Sequence, residues 1–239
     1  MSMNNRNRGK NTGDDTLFGS EKQISKLKLA VEDMQYLLSR DYPEKAASDL
    51  VGNRYRLKSR QIQALRGMSA SDVQLHNRQL KHVDISDLKE KTIYLDGFNV
   101  IILLESLLSE AYVFEGLDGC IRDLSGVHGT YKRVNQTLRA IELIASFYRK
   151  NHIQKLVWIF DKPVSNSGRI KHLVLEYAGQ NQLNWEAYLQ FNPDKFLAES
   201  SAIVISSDAW ILDHCKEWFN LIGYLISEEN LSVNLITTK

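Results

Sequence analysis

A chain of 239 residues, 43% hydrophobic and 25% charged, has room for one large domain, or for a core domain with a small helical one, and is neither disordered nor fibrous in composition. No apolar run approaches the roughly 20 residues that span a bilayer; residues 1–20 lack the apolar centre of a signal peptide; and two isolated cysteines, Cys120 and Cys215, are too few for a disulfide framework or a zinc cluster, so a cytoplasmic protein is expected. The net charge of +1 conceals a basic front, with 16 Lys/Arg against 12 Asp/Glu in residues 1–90, and an acidic remainder, with 14 against 17.

Residues 1–20 are rich in Asn, Arg, Gly and Asp, lack apolar periodicity and are expected to be a disordered tail. Residues 21–90 read as a small, basic helical region and connector. Ile24, Leu27, Val31, Met34, Leu37 and Leu38 recur at helical steps from Glu21 until Tyr42-Pro43 interrupts them. A second helix turns Ala46, Ala47, Leu50 and Val51 inward, and a third runs to about Leu65. Residues 67–90 read as a connector with one more short helix. Arg54, Arg56, Lys58 and Arg60, with Tyr55 interleaved, either grip phosphates or form a solvated helical face.

Residues 91–239 have the pattern of an α/β domain. Thr92–Leu95 is a short β-rich run, followed by a helix over Val100–Leu108 and a glycine-rich loop over 110–129. An amphipathic helix is predicted over Thr130–Lys150. A buried-type strand over Lys155–Phe160 leads through a Pro/Gly loop to a helix near Ile170–Ala178. A third strand over Trp185–Phe191, a short helix from Asp194 and a fourth strand over Ala202–Ser206 follow. A helix then starts at Ser207-Asp208 and continues through Trp218–Ile226, and Ser232–Thr237 is an edge strand. Strands alternating with helices predict a mainly parallel sheet, and continuous apolar runs predict strands covered on both faces.

Three of these strands end in an aspartate: Asp96, Asp161 and Asp208. Ligands in open parallel sheets sit outside the carboxyl ends of the strands. If the three strands are neighbours, their carboxylates converge, and converging carboxylates call for a cation, Mg²⁺ or Mn²⁺ by ligand type. The competing role for each aspartate is a helix cap or a turn. In the loop, Arg122, His128, Lys132 and Arg133 are candidates to meet a phosphate, with a glycine-rich connection as the alternative; His128 could instead be a general acid or a structural histidine, and the structural role is the better reading for a single histidine. There is no Gly-x-Gly-x-x-Gly and no Walker A sequence, so nucleotide cofactors gain no support.

Ile93-Tyr-Leu-Asp-Gly-Phe-Asn-Val-Ile101 resembles the opening strand of NYN-type nucleases, with Asp96 and Asn99 at the metal-binding and site-bracing positions. Ile159–Pro163 and Ile205–Asp208 are similar to later elements of PIN-like and flap nucleases, and Asp213 falls where a further acid follows. The resemblance spans about residues 91–226 and implies a three-layer α/β/α PIN-like fold and a fourth acid. Glu105, Asp118 and Asp123 are the candidates, and Asp123 is preferred. A second resemblance, to the domain-of-unknown-function 434 group, rests on Tyr42–Lys45, Leu50–Tyr55 and Asp118–Gly129 and implies no activity. The expected function is a metal-dependent phosphodiesterase on nucleic acid, RNA before DNA, with Asp96, Asp161, Asp208 and Asp123 catalytic and Asn99, Asp118 and Asp213 supporting. The alternative is an inactive nucleic-acid-binding or interaction module. A phosphatase ranks last, because the first strand end lacks an Asp-x-Asp pair.

Overall fold

The computed structural model describes residues 8–125 and 131–238. Five helices come first: α1 (Asp14–Phe18), α2 (Glu21–Leu38), α3 (Glu44–Arg54), α4 (Ser59–Met68) and α5 (Asp72–Lys81). Ser20 caps α2 by accepting from the Gln23 amide, and the apolar stripe of α2 buries Leu27, Ala30, Val31 and Met34. The α5 helix is fuller than the short one expected in the connector. It starts in a capping box of Ser71 and Gln74, but leaves Val73 and Leu80 exposed and buries Arg78, so it has no apolar stripe to read.

The expected disordered tail is ordered from Arg8 onward. Phe18 is fully buried, Asp14 pairs with Arg60 at 2.7 Å, and Arg8 forms an ion pair with buried Glu105. Single anchors hold this segment, and composition averaged over 20 residues does not register them.

The rest alternates strand and helix: β1 (Thr92–Asp96), α6 (Gly97–Leu108), β2 (Tyr112–Glu115), β3 (Ile121–Arg122), α7 (Thr137–Lys150), β4 (Lys155–Asp161), α8 (Ser167–Gln180), β5 (Trp185–Gln190), α9 (Pro193–Ala198), β6 (Ile203–Ile205), α10 (Ala209–His214), α11 (Leu221–Glu228) and β7 (Asn234–Ile236). The main sheet has the order β5-β4-β1-β6, with every pair parallel. On one face Leu95, Leu156, Trp158 and Phe160 share a core with Ile101, Ile144 and Val174 from α6, α7 and α8. On the other, Val157, Ile159 and Val204 meet Leu197 of α9 and Ile211 and Leu212 of α10. Helices on both faces make three layers, as the continuous apolar strands require. No described helix is long and apolar enough to cross a membrane.

Three local expectations change. The loop over 110–129 contains β2 and β3, which with β7 form a second sheet of order β3-β2-β7. These strands are too short to be read without the helices that cover them: Phe114, Leu124 and Ile236 enter the core formed by Met34, Leu65 and Met68. The helix expected from Thr130 begins at Thr137, because Tyr131 and Thr137 both donate to buried Glu105 and hold the intervening turn; Thr130 lies outside the described residues. The helix expected to run from Asp208 through Ile226 is two. Trp218 leaves the helical path to bridge Val204 and His82, and Asn220 caps α11.

Candidate functional site

With β1 between β4 and β6, the carboxyl ends of three parallel strands meet at one edge. Asp96 ends β1 and passes straight into α6 through Gly97, where any Cβ would clash with the Phe160 ring. Asp161 ends β4, and Asp208 follows β6. A cavity of about 350 Å³ at this edge is lined by Asp96, Asp123, Asp161, Asp194 and Asp208, with Asn99 and Ser125 as further polar groups. None of the described residues lining it is basic.

The electrostatics follow from crowding. Burial pushes the Asp96 carboxyl up to about 7; the Asp208 and Asp194 charges push the same way, and a 2.7 Å hydrogen bond from Ser206 Oγ opposes them. Asp194 is raised by its surroundings and by the charges of Asp208 and Asp161. Burial raises Asp161, whose Oδ1 is shielded from solvent and has no hydrogen-bond partner among the described residues. Burial also raises Asp123, which accepts from Ser106 Oγ at 2.5 Å. Asp208 Oδ1 caps α10, accepting from the Trp210 and Ile211 amides at 2.8 and 3.1 Å; the capping role and the place in the cavity therefore coexist. Asn99 Oδ1 accepts from the Ser207 amide at 2.9 Å and ties α6 to the end of β6. Among the described residues, no three His, Cys, Asp or Glu side chains are close enough to hold one metal ion directly.

Other residues singled out from the sequence lie elsewhere. Arg78 of α5 bonds Asp118 and Asp213, each at 2.6 Å. Arg122 spends its donors on Asp118, the Ser207 carbonyl and the Gly67 carbonyl, so it braces the Ser206–Asp208 turn from behind and does not face the cavity. Lys132 and Arg133 line a separate cavity. His128 lies outside the described residues. In the basic segment Arg60 is committed to Asp14 and Arg54 faces Asp33 at 3.4 Å, while Arg56 and Lys58 are exposed. Glu105, a candidate fourth acid, is fully buried against Arg8, Tyr131 and Thr137. The sequence reading missed Asp194. Its signal was present: Asn192-Pro193-Asp194 follows the end of β5, a fourth strand-end acid, but Asn192 capping and Pro193 in the first turn read as a helix start alone.

A family model described as Domain of unknown function (DUF5616) matches residues 85–224, and one described as Protein of unknown function (DUF434) matches residues 26–81. The second covers Tyr42–Lys45 and Leu50–Tyr55; Asp118–Gly129 falls within the first. An uncharacterized protein of Methanocaldococcus jannaschii is 32% identical over 185 residues, covering 77% of this chain and 87% of that protein. No solved structure matches significantly.

Proposed function

The chain belongs to the family described as Domain of unknown function (DUF5616), and from the site built within that stretch we propose a divalent-cation-dependent phosphodiesterase acting on RNA or other single-stranded nucleic acid. One observation carries the proposal: five aspartates line one cavity at the ends of the parallel strands, with no basic side chain among the described lining residues. The motif resemblance to PIN/NYN-type nucleases supports the same reading.

The donor set fits a hard cation. Asp161 Oδ1 is a buried acceptor without a partner among the described residues, and the mutual repulsion of Asp96, Asp194 and Asp208 falls when positive charge enters. Because no three acids among the described residues sit around one point, the fit is to a Mg²⁺- or Mn²⁺-type ion that keeps several waters and takes one or two carboxylates directly. One or two of Asp96, Asp161 and Asp208 would hold it directly, and the rest of these acids, with Asp123 and Asp194, would accept from its waters. When bound, such an ion lowers the pKa of a water and polarises a phosphodiester. Asn99 keeps Ser207, and with it Asp208, in register with β1. Ser206 Oγ holds Asp96 Oδ2 and fixes the direction of its other oxygen.

The separation of the acids also favours a second reading, a nucleic-acid-binding module that does not cut. Cleavage of end-labelled single-stranded RNA and DNA with Mn²⁺, Mg²⁺ or EDTA, beside Asp96→Asn, separates the two. Metal-dependent cutting that drops about a hundredfold or more in the variant is expected. Equal cutting by the variant, or cutting in EDTA, would remove the assignment.

A further inference from the structure

A second cavity, of about 420 Å³, lies between Tyr131–Arg133 and the first turn of α8. Lys132, Arg133 and Arg169 line it together with Asn166, over an apolar floor of Ile170 and Leu173. None of the described lining residues is acidic, and none of the three cations forms an ion pair or side-chain hydrogen bond among the described residues. Three arginines elsewhere in the chain stand in contrast. Arg60, Arg78 and Arg122 are each committed to carboxylates. Three uncommitted cations around one recess repel one another, and an anion relieves the repulsion.

The walls are held, while the three charges have no side-chain partner among the described residues. Asn166 Nδ2 donates to the Tyr131 carbonyl at 2.8 Å, the Tyr131 amide donates to the Ser165 carbonyl at 3.1 Å, and Arg8 donates to the Lys132 carbonyl. The recess adjoins the acidic cavity. Phe98, which lines the acidic one, packs on Tyr131 with ring centroids 5.4 Å apart. Val164 and Asn166, two residues apart, belong to one cavity each.

We propose that this recess takes a terminal phosphate monoester of a nucleic-acid strand and so sets the strand end against the acidic cavity. A monoester carries about −1.5 to −2 charge at neutral pH and three acceptor oxygens, which match three convergent cations. A backbone diester, with a single charge, needs only an open basic groove. The identity of the strand rests on the phosphodiesterase reading; the monoester site does not.

The test is fluorescence anisotropy in EDTA, so that no cleavage is needed. One single-stranded RNA sequence is offered with a 5′-phosphate, with a 3′-phosphate and with neither, and inorganic phosphate and a nucleoside monophosphate serve as competitors. One phosphorylated end is expected to bind about tenfold or more tightly than the unphosphorylated strand, and Arg169→Ala or Lys132→Ala, both exposed positions, to erase the difference. Equal binding of the three strands overturns the proposal, as does an end preference that survives in the Lys132→Ala/Arg169→Ala double variant. Competition by the monophosphate without any end preference supports a monoester site and overturns the strand as its source. Cleavage without end preference removes this inference and leaves the phosphodiesterase standing; end preference without cleavage does the reverse.

Discussion

Two buried carboxylates, Asp96 and Glu105, face the same physical problem and solve it differently. Glu105 is paired: Arg8 meets it as a counter-ion, and the Tyr131 and Thr137 hydroxyls donate to Oε1. Removing one partner of a buried ion pair typically costs about 3–5 kcal/mol, because the other charge stays behind. Arg8→Ala is therefore expected to lower stability in urea titrations by about that amount, and Glu105→Gln in the same chain to restore part of it, since an amide needs no counter-ion. An unchanged midpoint in Arg8→Ala would show that the N-terminal segment is not anchored. Asp96 has no counter-ion among the described residues, and burial with neighbouring charge holds its pKa at about 7 against an ordinary 3.8. Between those values the folded protein binds one more proton than the unfolded chain, so stability falls as pH rises from 3.8 to about 7 and levels above it. Asp96→Asn keeps an acceptor for Ser206 and has no charge to bury. In EDTA at pH 8 it is expected to be more stable than the parent by on the order of 1 kcal/mol or more, with little difference at pH 4. Equal stability at pH 8 would show that the parent carboxylate is not strained.

At the scale of elements, a four-residue ion network joins pieces far apart in the chain. Arg78 on α5 bonds Asp118 before β3 and Asp213 on α10, while Arg122 on β3 bonds Asp118 and the Ser207 carbonyl beside β6. Burial alone would raise the Asp118 pKa, but the Arg122 and Arg78 guanidiniums outweigh it and hold it at about 2. A depressed carboxylate contributes stability that is present above its unfolded pKa of 3.8 and is lost as pH falls from there to about 2. Acid unfolding in that window is the expected result. Asp118→Asn should flatten it and, by leaving two guanidiniums with one partner fewer, lower stability at pH 7 by about 3–5 kcal/mol. Circular dichroism across pH 2–5 checks both; an unaltered acid limb would place the titrating group elsewhere. Because Arg122 holds the turn that carries Ser206 and Asp208, it acts on the acidic cavity by positioning.

At the scale of the whole molecule, the helical front and the α/β part share a core. Phe114 of β2, Leu124 and Ile236 of β7 pack among Leu27, Met34, Val51, Leu65 and Met68. The boundary at residue 91 that composition indicates is therefore a change of pattern and not a place to cut. A fragment of residues 85–239, the span that begins with the DUF5616 match, would expose Phe114 and Ile236 and leave Asp118 without Arg78. It is expected to bind a hydrophobic dye and to melt at least several degrees below the full chain. A fragment as stable as the parent would show that the front is an independent unit.

The amino-acid sequence by itself determined the α/β class, the parallel sheet and the strand-end aspartates. Continuous runs such as Leu156–Phe160 can be buried only between two layers, and an acid at the end of such a run falls at the edge where parallel strands open. The α2 stripe and the break at Tyr42-Pro43 were legible for the same local reason. Tertiary structure alone decided which charges face the cavity. Arg122 looked like a phosphate contact until Asp118 and Ser207 occupied it, Asp194 looked like part of a helix start until α9 set it beside Asp161 and Asp208, and Arg169 drew no attention until it met Lys132 and Arg133. Patterns of period two or 3.6 are properties of a short window of chain. Which carboxylate finds which guanidinium, across the 97 residues from Arg8 to Glu105 or the 135 from Arg78 to Asp213, depends on how the windows pack.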